Sequence, residues 1–95
     1  MTEEQLQEIK KICEQNSINY LGLFGSFARG DHSSNSDIDF LAEYSQPLSL
    51  LEKGSLIMSL QKLLGREIDL VSAKHLKPGL RPYIEKDLKT VYEKR

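Results

Sequence analysis

Apolar positions recur along this chain with two periods, and the switches between them mark its elements. Leu6, Ile9, Ile12 and Cys13 keep the spacing of one helix face, and Thr2 with Gln5 three residues on forms a capping signal, so a helix is predicted to about Gln15. Asn16-Ser17 breaks it. Ile18 to Phe24 then reads as a strand, with Tyr20 and Gly22 on one face and Leu21 and Leu23 on the other. A sharp Gly25-Ser26 turn follows, then the first turn of a helix over Phe27 to Arg29 and a polar loop, Gly30 to Ser36, rich in turn formers. Asp37 to about Glu43 is predicted as the second strand. Pro47 is expected to open a long helix in which Leu48, Leu51 and Met58 form one apolar row. Leu50, Ile57, Leu60 and Leu64, flanked by Leu56 and Leu63, widen it into a stripe predicted to be buried on the sheet. Gly54 inside it costs about 1 kcal/mol relative to Ala. Gly65 ends that helix, and Arg66 to Val71 alternates into a third strand, with Ile68 and Leu70 turned to the core and Glu67, Asp69 and Val71 to the other face. Lys77-Pro78-Gly79 reads as a turn, Pro82 to Asp87 as a short helix, and Thr90-Val91-Tyr92 as an edge strand.

A strand, a helix and a strand in succession form a crossover, so the second and third strands are expected to be parallel neighbours joined with right-handed connectivity. The predicted fold is α+β with an α/β-like unit: a small mixed sheet of about four strands covered by helices, in one domain spanning residues 1–95. Hydrophobic content of 39% and charged content of 28% are those of an ordinary globular chain, and no apolar run reaches a membrane span. The acidic start TEEQLQEIKK is unlike a signal or transit peptide, and a single cysteine, Cys13, excludes an internal disulfide; together they point to a cytoplasmic protein. Cys13 lies on the apolar helix face and reads as core rather than nucleophile. The net charge of −1 is unevenly spread, with 6 basic and 11 acidic side chains in residues 1–73 against 7 basic and 3 acidic in residues 74–95. No unbroken basic stripe of the nucleic-acid-binding kind results, and the basic tail reads first as a solvated helix and strand.

The candidate chemistry lies between Leu21 and Leu41. Asp37 and Asp39, two apart in a strand, present two carboxylates on one face, where they repel unless a positive charge joins them. An all-oxygen donor set suits magnesium, or manganese, better than zinc. The Gly25-Ser26 turn allows close approach of an anion to the backbone, and free N–H groups at a helix start favour phosphate. Arg29, at the root of the polar loop, suits phosphate oxygens or an ion pair with Asp31 or another acid. Asp31 and His32 read as exposed loop residues, and parallel pairing would bring Asp69 beside the first two carboxylates. Asp is disfavoured in strands, so three acids on two strands call for a reason. No P-loop, dinucleotide fingerprint or EF-hand is present.

Gly25-Ser26, then Asp37-Ile38-Asp39, then an isolated strand carboxylate at Asp69 resembles the DNA polymerase beta-like nucleotidyltransferase superfamily, and the short length is similar to its minimal nucleotidyltransferases, the MNT group. The resemblance implies two magnesium ions, Asp37 and Asp39 holding the one that carries the triphosphate, and Asp69 helping to hold the second and activating an acceptor hydroxyl. It implies ATP as donor, with Gly25, Ser26 and Arg29 at its phosphates, attack at the alpha-phosphorus and release of pyrophosphate. It further implies transfer of AMP to a hydroxyl, such as a tyrosine, of a HEPN-domain ribonuclease toxin for which the chain acts as antitoxin. Two other readings stand beside this one: a non-catalytic antitoxin or nucleotide-binding module acting by occlusion, and a small-molecule nucleotidyltransferase, which the lack of room for a second domain disfavours.

Overall fold

The computed structural model describes residues 1–94; Arg95, the last residue of the predicted domain, lies outside them. Thr2 caps α1 (Glu3–Gln15) through a complete capping box with Gln5, and the apolar spacing predicted for this helix buries Ile9 and Cys13. The chain continues through β1 (Ile18–Phe24), the single turn α2 (Ser26–Arg29), β2 (Ile38–Tyr44), α3 (Leu50–Leu64), β3 (Ile68–Ser72), α4 (Arg81–Asp87) and β4 (Lys89–Glu93). The four strands form one mixed sheet in the order β3-β2-β1-β4. The parallel β2–β3 pair is flanked by antiparallel β1 and edge strand β4, as the crossover reading required. Leu21, Phe40, Ala42, Leu56 and Leu60 meet Ile9 and Cys13 in the core, and among the described residues no charged side chain is buried. No helix among them is long and apolar enough to cross a membrane.

Three expectations are corrected. The second strand begins at Ile38, one residue after Asp37, and runs to Tyr44, so Asp37 sits at the lip of the strand rather than within it. The long helix does not open at Pro47: Ser49 is its N-cap, in a capping box with Glu52, and the preceding residues form an irregular approach. A hydroxyl that satisfies a free backbone N–H outcompetes a proline that can only start the turn.

The largest correction concerns the apolar stripe. Leu56 and Leu60 are buried, but Leu50 is 91% exposed, Leu51 85% and Met58 69%. With Gly54, Ser55, Ser59 and Lys62 they line an open groove of about 510 Å³ on the outer side of α3. One sheet face can cover only one side of a helix, so a stripe wider than that face leaves its outer edge in water. Gly54 interrupts nothing: the helix runs unbroken through it and stops at Gly65, whose φ of +68° supplies the left-handed cap. A single 3-10 turn, Ala73–His75, leads away from β3 and was not predicted.

Candidate active site

The carboxylates meet through strand register. Parallel pairing of β2 with β3 sets Asp39 directly opposite Asp69, and antiparallel pairing of β1 sets Phe24, the residue before Gly25, opposite Asp39. Alternation then does the rest: Ile38 and Phe40 are buried, as are Ile68 and Leu70, which turns Asp39 and Asp69 to the opposite face. Asp37, exposed just before the strand, acts on the same centre. Burial is the first cause that raises the Asp39 carboxyl above the ordinary carboxylate range; the charges of Asp69 and Asp37 and a hydrogen bond with Asp69 add to it, and Arg29 opposes them. Among the described residues no three His, Cys, Asp or Glu side chains are gathered closely enough to hold a metal ion as they stand. The grouping is a crowded, open cluster of negative charge.

Gly25 explains how β1 reaches that cluster. Its φ of +75° is open to glycine and strained for other residues, and a Cβ there would collide with Asp39 Oδ2. The backbone at the start of α2 therefore lies against the Asp39 carboxylate. Gly25 itself is the N-cap of α2, and Ser26 is its first helical residue, so the Ser26 hydroxyl is not the cap. One turn on, Arg29 Nε donates to Asp31 Oδ2 at 3.0 Å and Nη1 donates to Asp87 Oδ2 at 2.8 Å. These hydrogen bonds, Asp31 first, raise the guanidinium above its ordinary value. Asp31 is the exposed loop acid read from the sequence, and the ion-pair alternative for Arg29 is present in the structure, with Asp31 and Asp87 both as partners.

Two residues that sequence reasoning passed over complete the surroundings. Arg66 Nη1 donates to the carbonyls of Ser33 at 3.0 Å, Ser34 at 3.2 Å and Ser36 at 3.2 Å, pinning the polar loop that leads into Asp37. Its guanidinium lies 4.7 Å from the Phe27 ring centroid, and His32 stacks on Phe27 at 3.8 Å, so His32 is exposed yet anchored. Asp87, at the end of α4, is the other. Neither carries a local signal: their partners are 30 or more positions away, at 30 for Arg66 with Ser36 and 58 for Asp87 with Arg29. A separate groove of about 540 Å³ lined by Lys10, Glu14, Ser17 and Tyr92 contains none of the three carboxylates, of which Asp37 and Asp69 are exposed and Asp39 is half-buried.

Comparison with known proteins gives the family of the chain. Residues 7–95 match the family described as polymerase beta, nucleotidyltransferase. A Methanocaldococcus jannaschii protein, provisionally assigned as a protein adenylyltransferase, is 38% identical over 87 residues, covering 90% of this chain and 89% of its own length. The protein adenylyltransferase MntA of Thermococcus cleftensis is 34% identical over 85 residues, covering 84% of this chain and 86% of its own. A solved structure provisionally described as a minimal nucleotidyltransferase superposes with a TM-score of 0.79 at 29% identity, over 90% of this chain and 88% of that one. The complex of a tri-AMPylated Shewanella oneidensis HEPN toxin with an MNT antitoxin holds a chain of the same fold, with a TM-score of 0.73 at 21% identity over 98% of this chain and 73% of that one. With its carboxylates set on paired strands against a glycine turn, this chain belongs to the polymerase beta nucleotidyltransferase family, as a minimal nucleotidyltransferase.

Proposed function

We propose that the chain transfers AMP from ATP to a hydroxyl, a tyrosine in the first instance, of a HEPN-type toxin protein and so acts as its antitoxin. The observation that carries this reading is the register that sets Asp39 opposite Asp69 while the Gly25 backbone abuts the Asp39 carboxylate. It is supported by relatives named as protein adenylyltransferases and by a solved MNT antitoxin complexed with an AMPylated HEPN toxin.

The donor set fits magnesium. All three candidate ligands are carboxylates, and beside the burial that first raises Asp39, the repulsion from Asp69 and Asp37 is what a divalent cation relieves. Asp37, Asp39 and Asp69 would hold the metal, which when bound stabilises charge developing on the attacking and leaving oxygens. The chain's own groups do the placing. The backbone N–H groups at the start of α2 and the uncapped Ser26 hydroxyl hold phosphate oxygens, and Arg29 adds a charge-assisted donor beside them. Asp69 would accept the proton of the acceptor hydroxyl, a role supported by its exposure and its register opposite Asp39. The exposed Asp37 and Asp69 leave this end of the sheet accessible to an acceptor carried by another protein.

The test mixes the purified chain with a co-purified HEPN-domain partner, magnesium and ATP. Label from the alpha-phosphate is expected on a partner tyrosine, and chelation with EDTA is expected to stop it. Transfer of the gamma-phosphate instead would make the protein a kinase and sink the assignment, and neutralisation of the partner without any label would replace catalysis with occlusion.

A further inference from the structure

Arg29 is held from two sides by acceptors of unlike character. Asp31 follows it by two positions, in the same polar loop, and is 59% exposed. Asp87 lies 58 positions away at the end of α4, with its side chain 15% exposed, and makes the shorter bond at 2.8 Å. Arg29 itself is 48% exposed. Its guanidinium carries five N–H donors, and the two bonds engage Nε and one hydrogen of Nη1, leaving donors for a further acceptor. It sits one helical turn from Gly25, whose backbone abuts the Asp39 carboxylate.

We propose that Asp87 is a positioning residue for the nucleotide: it fixes the Arg29 guanidinium at the carboxylate end of the sheet so that its remaining donors meet a phosphate oxygen of ATP. The inference rests on the nucleotidyltransfer reading above and adds to it a residue from the far end of the chain. Two effects of Asp87 compete. Its charge offsets part of the attraction between Arg29 and phosphate, but that attraction acts across open surface, where water already weakens it. Against this, a free arginine loses rotamer freedom on gripping a phosphate, and a guanidinium already fixed by a shielded carboxylate has lost most of it beforehand. Pre-organisation wins at a half-exposed site. The exposed Asp31, by contrast, is a partner the guanidinium can release without leaving Asp87.

The experiment compares the full chain with its Asp87→Asn and Asp87→Glu variants, reading ATP affinity by calorimetry in magnesium together with KM and kcat for AMP transfer. Asp87→Asn is expected to weaken ATP binding about three- to tenfold and to raise KM by a similar factor with kcat changed less than about twofold, while Asp87→Glu stays closer to the parent. In an Arg29→Met background, Asp87→Asn is expected to add nothing. Parent-like ATP affinity in Asp87→Asn, even with a lowered melting temperature, would mean a purely structural ion pair and overturn the inference. The same weakening with and without Arg29 would also overturn it, because Asp87 would then act independently. A parent that binds ATP in this pattern but transfers no AMP overturns the proposed function alone; a parent that binds no ATP overturns both.

Discussion

The carboxylate end of the β2–β3 pair and the outer side of α3 both hold side chains against their ordinary preference, one crowding acids and the other leaving leucines in water. They differ in what enforces them. At the carboxylate end, backbone pairing fixes Asp39 opposite Asp69, so their repulsion is built into the sheet and cannot relax without breaking the ladder. On α3, nothing enforces exposure except the lack of a surface to cover Leu50, Leu51 and Met58. An imposed cost of the first kind points to chemistry performed there. A cost of the second kind shows only that burial depends on what stands opposite.

The sharpest way to break this contrast is Asp39→Asn, which keeps shape and removes one charge. On the proposed function, AMP transfer should fall by at least about a hundredfold, since Asp39 is there proposed as a metal ligand. Stability should move the other way. A carboxyl raised in the fold contributes stability below its unfolded value of about 3.9, and that contribution is lost as pH rises through the folded value. In metal-free protein at neutral pH the substitution should therefore stabilise and raise the melting temperature, with no gain near pH 3. A neutral or lowered melting temperature without metal would mean that the acids are not in conflict.

The second test compares the two sides of α3. Leu60→Ala, at 0% exposure, should cost about 2–5 kcal/mol, a large part of what a small domain has. Leu51→Ala, starting at 85% exposure, should change the stability of the isolated chain by less than about 0.5 kcal/mol. Chemical denaturation of both variants decides it; a large loss at Leu51 would mean that the outer side is covered in solution.

This contrast also explains what the sequence revealed. The meeting of Asp39 with Asp69 was legible because a strand's period of two fixes which side chains share a face and the crossover rule fixes which strands are neighbours, whereas Asp37, one residue before the strand, falls outside that rule. The outer row of α3 was misread because Leu51 and Met58 repeat at helical spacing as well as Leu56 and Leu60 do, and spacing alone cannot tell which row meets the sheet. Asp87 and Arg66 escaped for a third reason. Their partners are brought near by the whole fold, and a charged residue beside a helix end looks the same whether it is solvated or paired.

Ser26→Ala tests the phosphate-binding side of the site with a smaller effect. Because Gly25 is the cap, the substitution removes no cap, and the melting temperature should move by less than about 2 °C. A hydroxyl that holds phosphate is worth about 1.5–3 kcal/mol, so kcat/KM for ATP should drop roughly tenfold to a hundredfold. Unchanged kcat/KM beside a clearly lowered melting temperature would place the phosphates elsewhere.

The smallest effect is expected at Cys13, which sharpens the comparison by isolating burial from crowding. Burial comes first among the causes at both Cys13 and Asp39, but where Asp39 faces two further carboxylates, Cys13 feels only Glu14 and is pushed up to about 12. A thiol raised in the fold contributes stability that is whole below its unfolded value of about 8.5–9 and is lost as pH climbs toward 12. The parent should therefore lose stability between pH 9 and 12 with a slope from this group of at most about 1.4 kcal/mol per pH unit. Cys13→Ala should flatten that alkaline limb while costing only about 1 kcal/mol at neutral pH, where a small cavity replaces the sulfur. Denaturant midpoints measured for both chains across the alkaline range provide the check. An unchanged limb in Cys13→Ala would mean that other groups carry the alkaline loss, and that burial by itself does less in this fold than Asp39 suggests.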